Sequence, residues 1–164
     1  MGPDVSFPIQ NSRNKIVVLD TNLLLLAISA RVGLHRFGSF SRVNAFTAED
    51  AKLLSWIVSQ FKAVATTAYV LAEVSNLANK LTGSLRSDWF LQLQAYAFIT
   101  IESHVPIQTI GKKAETVRFG VTDSALSHLS NNHTILTAEF RLSGYLESIG
   151  REVLNFNHLR RFNR

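Results

Sequence analysis

Four acids define the chemistry open to this chain: Asp20, Glu73, Asp123 and Glu139. Asp20 ends an apolar run, Ile16–Leu19, and is followed by Thr21, Asn22 and a leucine-rich stretch. Glu139 comes just after a second apolar run and lies two residues past Thr137. Asp123 stands at a helix start, and Glu73 lies inside a helical pattern. Several ionised carboxylates share a cleft only where cations balance them. A donor set of oxygens, without cysteine or clustered histidine, suits Mg²⁺ or Mn²⁺ better than Zn²⁺. Each acid also has an ordinary structural reading. Asp20, Thr21 or Asn22 caps the next helix, Asp123 serves a helix dipole, Glu73 is a solvated helix acid, and Glu139 is a turn acid. Only their joint arrangement decides between the two.

The elements that must position them alternate strand and helix. A β-branched run closed by polar residues predicts a buried parallel strand over 15–20, which puts Asp20 at its carboxyl end, where open α/β sheets bind ligands. Further strands are expected at 61–65, 98–102, 133–136 and 152–156. Helices are expected at 22–30 and at 48–60, the second opened by Thr47 with acids in its first turn. Thr66-Thr67 opens a third, with Val70, Leu71, Val74, Leu77, Ala78 and Leu81 as its apolar stripe. Glu73 falls about 40° from Leu77, at the border of that stripe. Gly83-Ser84 ends this helix. Helical segments follow at 89–96, near 111–118, from Gly120 with Thr122 as cap and Val121, Ala125 and Leu129 buried, and at 140–148. Residues 31–46 read as a long loop or short helical excursion, 1–14 as a loose arm, and 158–164 as a basic tail. The expected fold is α/β, three layers (α/β/α) around a central, mainly parallel sheet with right-handed crossovers, as one domain over 15–164. If strands one and four are neighbours, Asp20 and Glu139 meet at the carboxyl edge.

Seventeen Lys/Arg against twelve Asp/Glu give a net charge of +5 and a pI near 9.9. That balance favours polyanionic partners. With no cysteine, a disulfide framework, a thiolate metal site and a Cys nucleophile are excluded. No apolar run has transmembrane length and the first residues lack a signal pattern, so a soluble cytoplasmic protein is expected. A phosphate-binding glycine loop is missing, which argues against P-loop chemistry. A haloacid-dehalogenase-type phosphatase would need an acid two residues after Asp20, where this chain has Asn22.

The stretches VVLDTN, TTAYVLAEVSNLA, GVTDSAL and ILTAE resemble, in order and spacing, the four motifs of PIN domains, and the resemblance spans about Ile16 to Phe156. It implies a PIN-like, Rossmann-like fold and a metal-dependent ribonuclease that leaves 5′-phosphate and 3′-hydroxyl ends. It assigns Asp20, Glu73, Asp123 and Glu139 as catalytic metal ligands for Mg²⁺ or Mn²⁺, with Asn22 and Thr137 as hydrogen-bonding groups behind them. The family usually has Asp at the fourth position; Glu139 is one methylene longer and would reach farther or act through water. Family members include toxins of toxin–antitoxin pairs, so an antitoxin is an implied partner beside the RNA substrate. Alternatives are a non-catalytic PIN-fold module that binds RNA or protein, and a structure-specific DNA nuclease.

Arg31, Arg36 and Arg42, interleaved with Phe37 and Phe40, form one candidate nucleic-acid-binding region; Lys112, Lys113, Arg118 and Arg141 form another. Basic groups would hold the backbone and Phe rings would stack on bases. The aromatic loop reads equally as a homodimer or antitoxin surface. The terminal arginines read as a solubilising end.

Overall fold

The computed structural model describes residue 9, residues 11–38 and residues 40–163. Five parallel strands, β1 (Ile16–Leu19), β2 (Ala63–Thr66), β3 (Ile101–Glu102), β4 (Thr134–Thr137) and β5 (Val153–Asn155), form one sheet in the order β3-β2-β1-β4-β5. Around it pack α1 (Thr21–Val32), α2 (Ser41–Asn44), α3 (Ala48–Ser59), α4 (Ala68–Ala78), α5 (Gly83–Ile99), α6 (Ile107–Ile110), α7 (Ala114–Phe119), α8 (Val121–Leu129), α9 (Phe140–Ser148) and α10 (Phe156–Phe162). This is the expected three-layer α/β/α fold with an all-parallel sheet. The central strands are buried on both faces: Val17, Val18, Ile135 and Leu136 are all inaccessible. That is why their sequences run apolar without alternation.

The strand order reverses direction between β1 and β4, so the topological switch point lies between them. In open α/β sheets the crevice outside the carboxyl ends at that point is where ligands sit. The register pairs Val18 with Ile135 and Leu19 with Leu136, and the Asp20 N–H continues the ladder to the Leu136 carbonyl at 3.0 Å. Asp20 and Thr137 are therefore brought side by side by register alone.

Local expectations hold where a cap or stripe sets the element. Thr47 and Asp50 form a reciprocal capping box at α3, and the Thr67 side chain accepts from the Val70 N–H at α4. Other boundaries differ. Gly83, at φ 59°, opens α5 instead of closing α4, which ends at Ala78. The helix α5 runs on to Ile99, leaving two residues of β3 where five were expected. Trp89 anchors it, fully buried with Nε1 donating to Ser29 Oγ at 3.1 Å. α8 is capped by Gly120, not Thr122, because the chain turns from α7 into α8 through a φ of 90° that favours glycine; Val121 is consequently exposed.

Residues 31–46 hold a 3₁₀ turn, Leu34–Phe37, and the short α2. The expected basic tail is α10, with Phe156 and Leu159 in the core. Arg160 reaches from it to Asp50 at 2.9 Å, an ion pair almost closed to water. Most of the expected arm over 1–14 lies outside the described residues; Ile9 is buried in the core and Ser12–Asn14 form a 3₁₀ turn. Among the described residues no helix is long and apolar enough to cross a membrane.

Candidate active site

Asp20 leaves β1 and caps α1 with its own carboxylate: Oδ1 accepts from the Leu23 N–H at 2.8 Å. The cap is therefore Asp20, not Thr21 or Asn22, and one buried side chain both starts the helix and stands at the carboxyl end of β1. Its Oδ2 accepts from Thr137 Oγ1 at 2.5 Å and from the Ala138 N–H at 2.7 Å. A carboxylate offers about four lone-pair sites; with three occupied, one on Oδ1 remains for a ligand. Burial pushes the Asp20 carboxyl up to about 6, although those hydrogen bonds pull the other way. Thr137 also accepts from the Glu139 N–H at 2.9 Å, so a single hydroxyl ties β1 to the turn after β4.

The other acids arrive on helices. Glu73 lies half-buried on α4, which packs on α1 and α8, and its Oε2 accepts from Thr21 Oγ1 at 3.0 Å. Glu139 precedes α9 and accepts from Asn22 Nδ2 at 3.1 Å through Oε1. Asn22 is in turn held by Arg42, whose Nη1 donates to Asn22 Oδ1 at 3.2 Å. Asp123 sits in the first turn of α8. Burial first, and then repulsion from Glu139, Asp20 and Glu73, push it up to about 7, with Arg141 opposing. Asp123 thus feels the other three sequence-selected acids, and Asp20 feels Glu139.

The donor chemistry suits a hard divalent cation: four carboxylates, two of them holding protons more tightly than an ordinary Asp, with no thiolate present. Among the described residues no three acidic or histidine side chains close around one point as a finished cage. Glu73 and Glu139 are each turned onto a polar side chain at the start of α1.

The basic residues divide. Arg42 reaches the site through Asn22 and Arg141 acts on Asp123. Arg31 lies eleven residues along α1 from Asp20, about 16 Å at the helical rise, and does not join the cluster. Arg36 pairs with Asp88 at 2.8 Å. Phe37 is buried and Phe40 packs against it with ring centroids 6.5 Å apart, so the Phe37 ring serves the core and is closed to bases. Arg118 lies over the rings of Phe119 and Tyr145, and Arg141 over Phe119. Lys112 and Lys113 lie between α6 and α7.

Sequence reasoning missed Thr21 as the group holding Glu73. It also missed Asn157, whose Nδ2 donates to the Ala138 carbonyl and fixes the turn before Glu139. A polar residue beside a candidate acid was the only signal for Thr21; Asn157 gave none. Compared with known proteins, the chain matches no family model and no curated sequence.

Proposed function

We propose that the chain is a PIN-like, metal-dependent endoribonuclease that hydrolyses RNA phosphodiesters to 5′-phosphate and 3′-hydroxyl ends. One observation supports this reading: Asp20 and Glu139 follow the neighbouring strands β1 and β4 at the carboxyl edge of the switch point, and Asp123, raised to about 7 chiefly by burial, is raised further by Glu139, Asp20 and Glu73. Mutual repulsion of that kind is a standing demand for positive charge. Mg²⁺ or Mn²⁺, held chiefly by Asp20 and Asp123, would neutralise the phosphodiester, lower the pKa of a bound water and stabilise the leaving 3′ oxygen.

The chain's own residues supply orientation. Thr137, the Ala138 N–H and the Leu23 N–H fix both oxygens of Asp20. Thr21 aims Glu73, a ligand or an orienter of the attacking water, and Asn22 aims Glu139. Hydrogen-bonded partners behind a metal ligand set its direction and basicity. The basic balance of the chain, +5 overall, suits a polyanionic substrate in the cytoplasm. The role of a toxin restrained by an antitoxin follows from the resemblance alone; unaltered growth on expression would refute it.

The test is a side-by-side digest of single-stranded RNA and DNA with Mg²⁺, Mn²⁺ or EDTA. Cleavage of RNA only with metal, lost in Asp20→Asn and in Asp123→Asn while both remain folded, is the expected result. Preferential DNA cleavage would move the substrate and keep the chemistry. A second reading, a non-catalytic module that binds RNA or protein, is favoured by one fact: Glu73 and Glu139 are already committed to α1 and the acids form no finished cage. Absence of cleavage under every divalent ion would select it.

A further inference from the structure

Two depressions lie along α2 and α10, sharing Asn157 and Arg160. The first, about 360 Å³, is lined by Asn22, Arg42, Phe46, Asn157 and Arg160 among others. The second, about 210 Å³, is lined by Phe140, Asn157, Arg160 and Arg161. Asn22 is also the residue that holds Glu139, so one wall of the first depression is hydrogen-bonded to an acid of the cluster.

Its walls have distinct duties. Arg160 is committed through Nη2 to Asp50 and the Ala45 carbonyl, and its guanidinium lies 5.3 Å from the Phe46 ring centroid. Phe46 is thus covered by Arg160 and tilted against Phe156 at 6.1 Å, which closes it to a base. Arg42 uses Nη1 on Asn22 and carries five N–H donors in all. Arg161 is exposed at the far end. Phe140 presents a half-exposed ring, 53% accessible, with His158 5.6 Å away. The acids facing the groove are Glu139 at its head and Asp50, the latter neutralised by Arg160. On the α7 side, by contrast, Arg118 and Arg141 lie over aromatic rings.

From this arrangement we infer that a single-stranded nucleic acid leaves the acid cluster over α2 and α10, with phosphates on Arg42 and Arg161 and a base on Phe140. The inference rests on the nuclease reading for the nature of the ligand. Arginine donors alternating with an open ring are what a strand-tracking groove requires, since phosphates take the charge and bases take the π-face. The site is a track and not a nucleotide pocket, because the ring at its inner end is covered.

Fluorescence anisotropy of a labelled single-stranded RNA oligonucleotide, in EDTA and over a salt series, tests it. Arg42→Ala/Arg161→Ala should weaken binding and lower the slope of log K against log salt by about 1.4, two phosphate contacts on a single strand. Phe140→Ala should weaken binding roughly tenfold with the slope unchanged. Lys62→Ala/Lys80→Ala removes the same charge from exposed positions outside the groove and should leave both unaltered. Equal weakening by the two pairs would reduce the effect to net charge and overturn the track. A loss concentrated instead in Lys112→Ala/Lys113→Ala would place the strand on the α6–α7 side and overturn it too. Metal-dependent cleavage that persists in Arg42→Ala/Arg161→Ala with unchanged KM removes the track and leaves the nuclease. Wild-type protein that neither binds nor cleaves RNA or DNA removes both.

Discussion

Replacing Asp123 with Asn should stabilise the metal-free protein at pH 8, and by less than half as much at pH 5. The Asp123 carboxyl is pushed from 3.8 to about 7 by burial and by Glu139, Asp20 and Glu73. Since the folded state holds this proton more tightly than the unfolded chain, stability is greatest below the unfolded value. It is lost as pH rises through the folded one. A shift of about three units corresponds to a ceiling of about 4 kcal/mol at 1.36 kcal/mol per unit. Asp123 is only partly buried, and solvent screening reduces the expected gain to about 1–2 kcal/mol. Urea titrations of wild type and Asp123→Asn in EDTA at both pH values measure it. Adding Mn²⁺ should then reverse the order at pH 8, because a cation stabilises whichever protein keeps the ligand. An equal effect at pH 5 and 8, or a loss of stability at pH 8 in EDTA, would refute the electrostatic argument.

Thr137→Val removes a buried hydroxyl that serves both Asp20 and the Glu139 N–H. Urea unfolding should show a cost of about 1–3 kcal/mol, and NMR titration should place the Asp20 carboxyl above its present value of about 6, since that hydrogen bond favours the ionised form. Asp50→Ala strands the half-buried Arg160 guanidinium and frees the Thr47 N–H, for an expected loss of about 2–3 kcal/mol, below that of a fully buried pair. In the same denaturation assay Asp50→Asn/Arg160→Met should lose less. Gly120→Ala meets no atom within 4 Å but is held at φ 90°, so a thermal melt should report a loss of about 1–3 kcal/mol from backbone strain alone.

How far the site was legible depended on range. Asp20 could be placed because an apolar β-branched run ended by an acid fixes strand, edge and residue together. Thr47 and Thr67 were readable as caps because capping is decided within three residues. The pairing of Leu19 with Leu136, which sets Asp20 against Thr137, joins positions far apart in the chain and has no local signature. The same holds for Thr21 with Glu73 and for Arg160 with Asp50. Where local propensity misled, tertiary packing had overruled it. The FITIE stretch has strand composition, yet the Trp89-anchored helix continues through its first two residues. Phe37 stood in a basic loop as an available ring, but it is drawn into the core. Asp20 was a candidate both for the cap and for the acid cluster, and it can serve both because its two carboxylate oxygens point to different partners.

If Asp20, Glu73, Asp123 and Glu139 form one cation-requiring centre, the metal-free protein binds a divalent ion through them. Calorimetric titration of the metal-free protein with Mn²⁺ at pH 8 tests it most directly. Saturable binding, abolished in Asp20→Asn and Asp123→Asn proteins that remain folded, is the predicted result. Absence of Mn²⁺ binding, or binding that survives both substitutions, would contradict it.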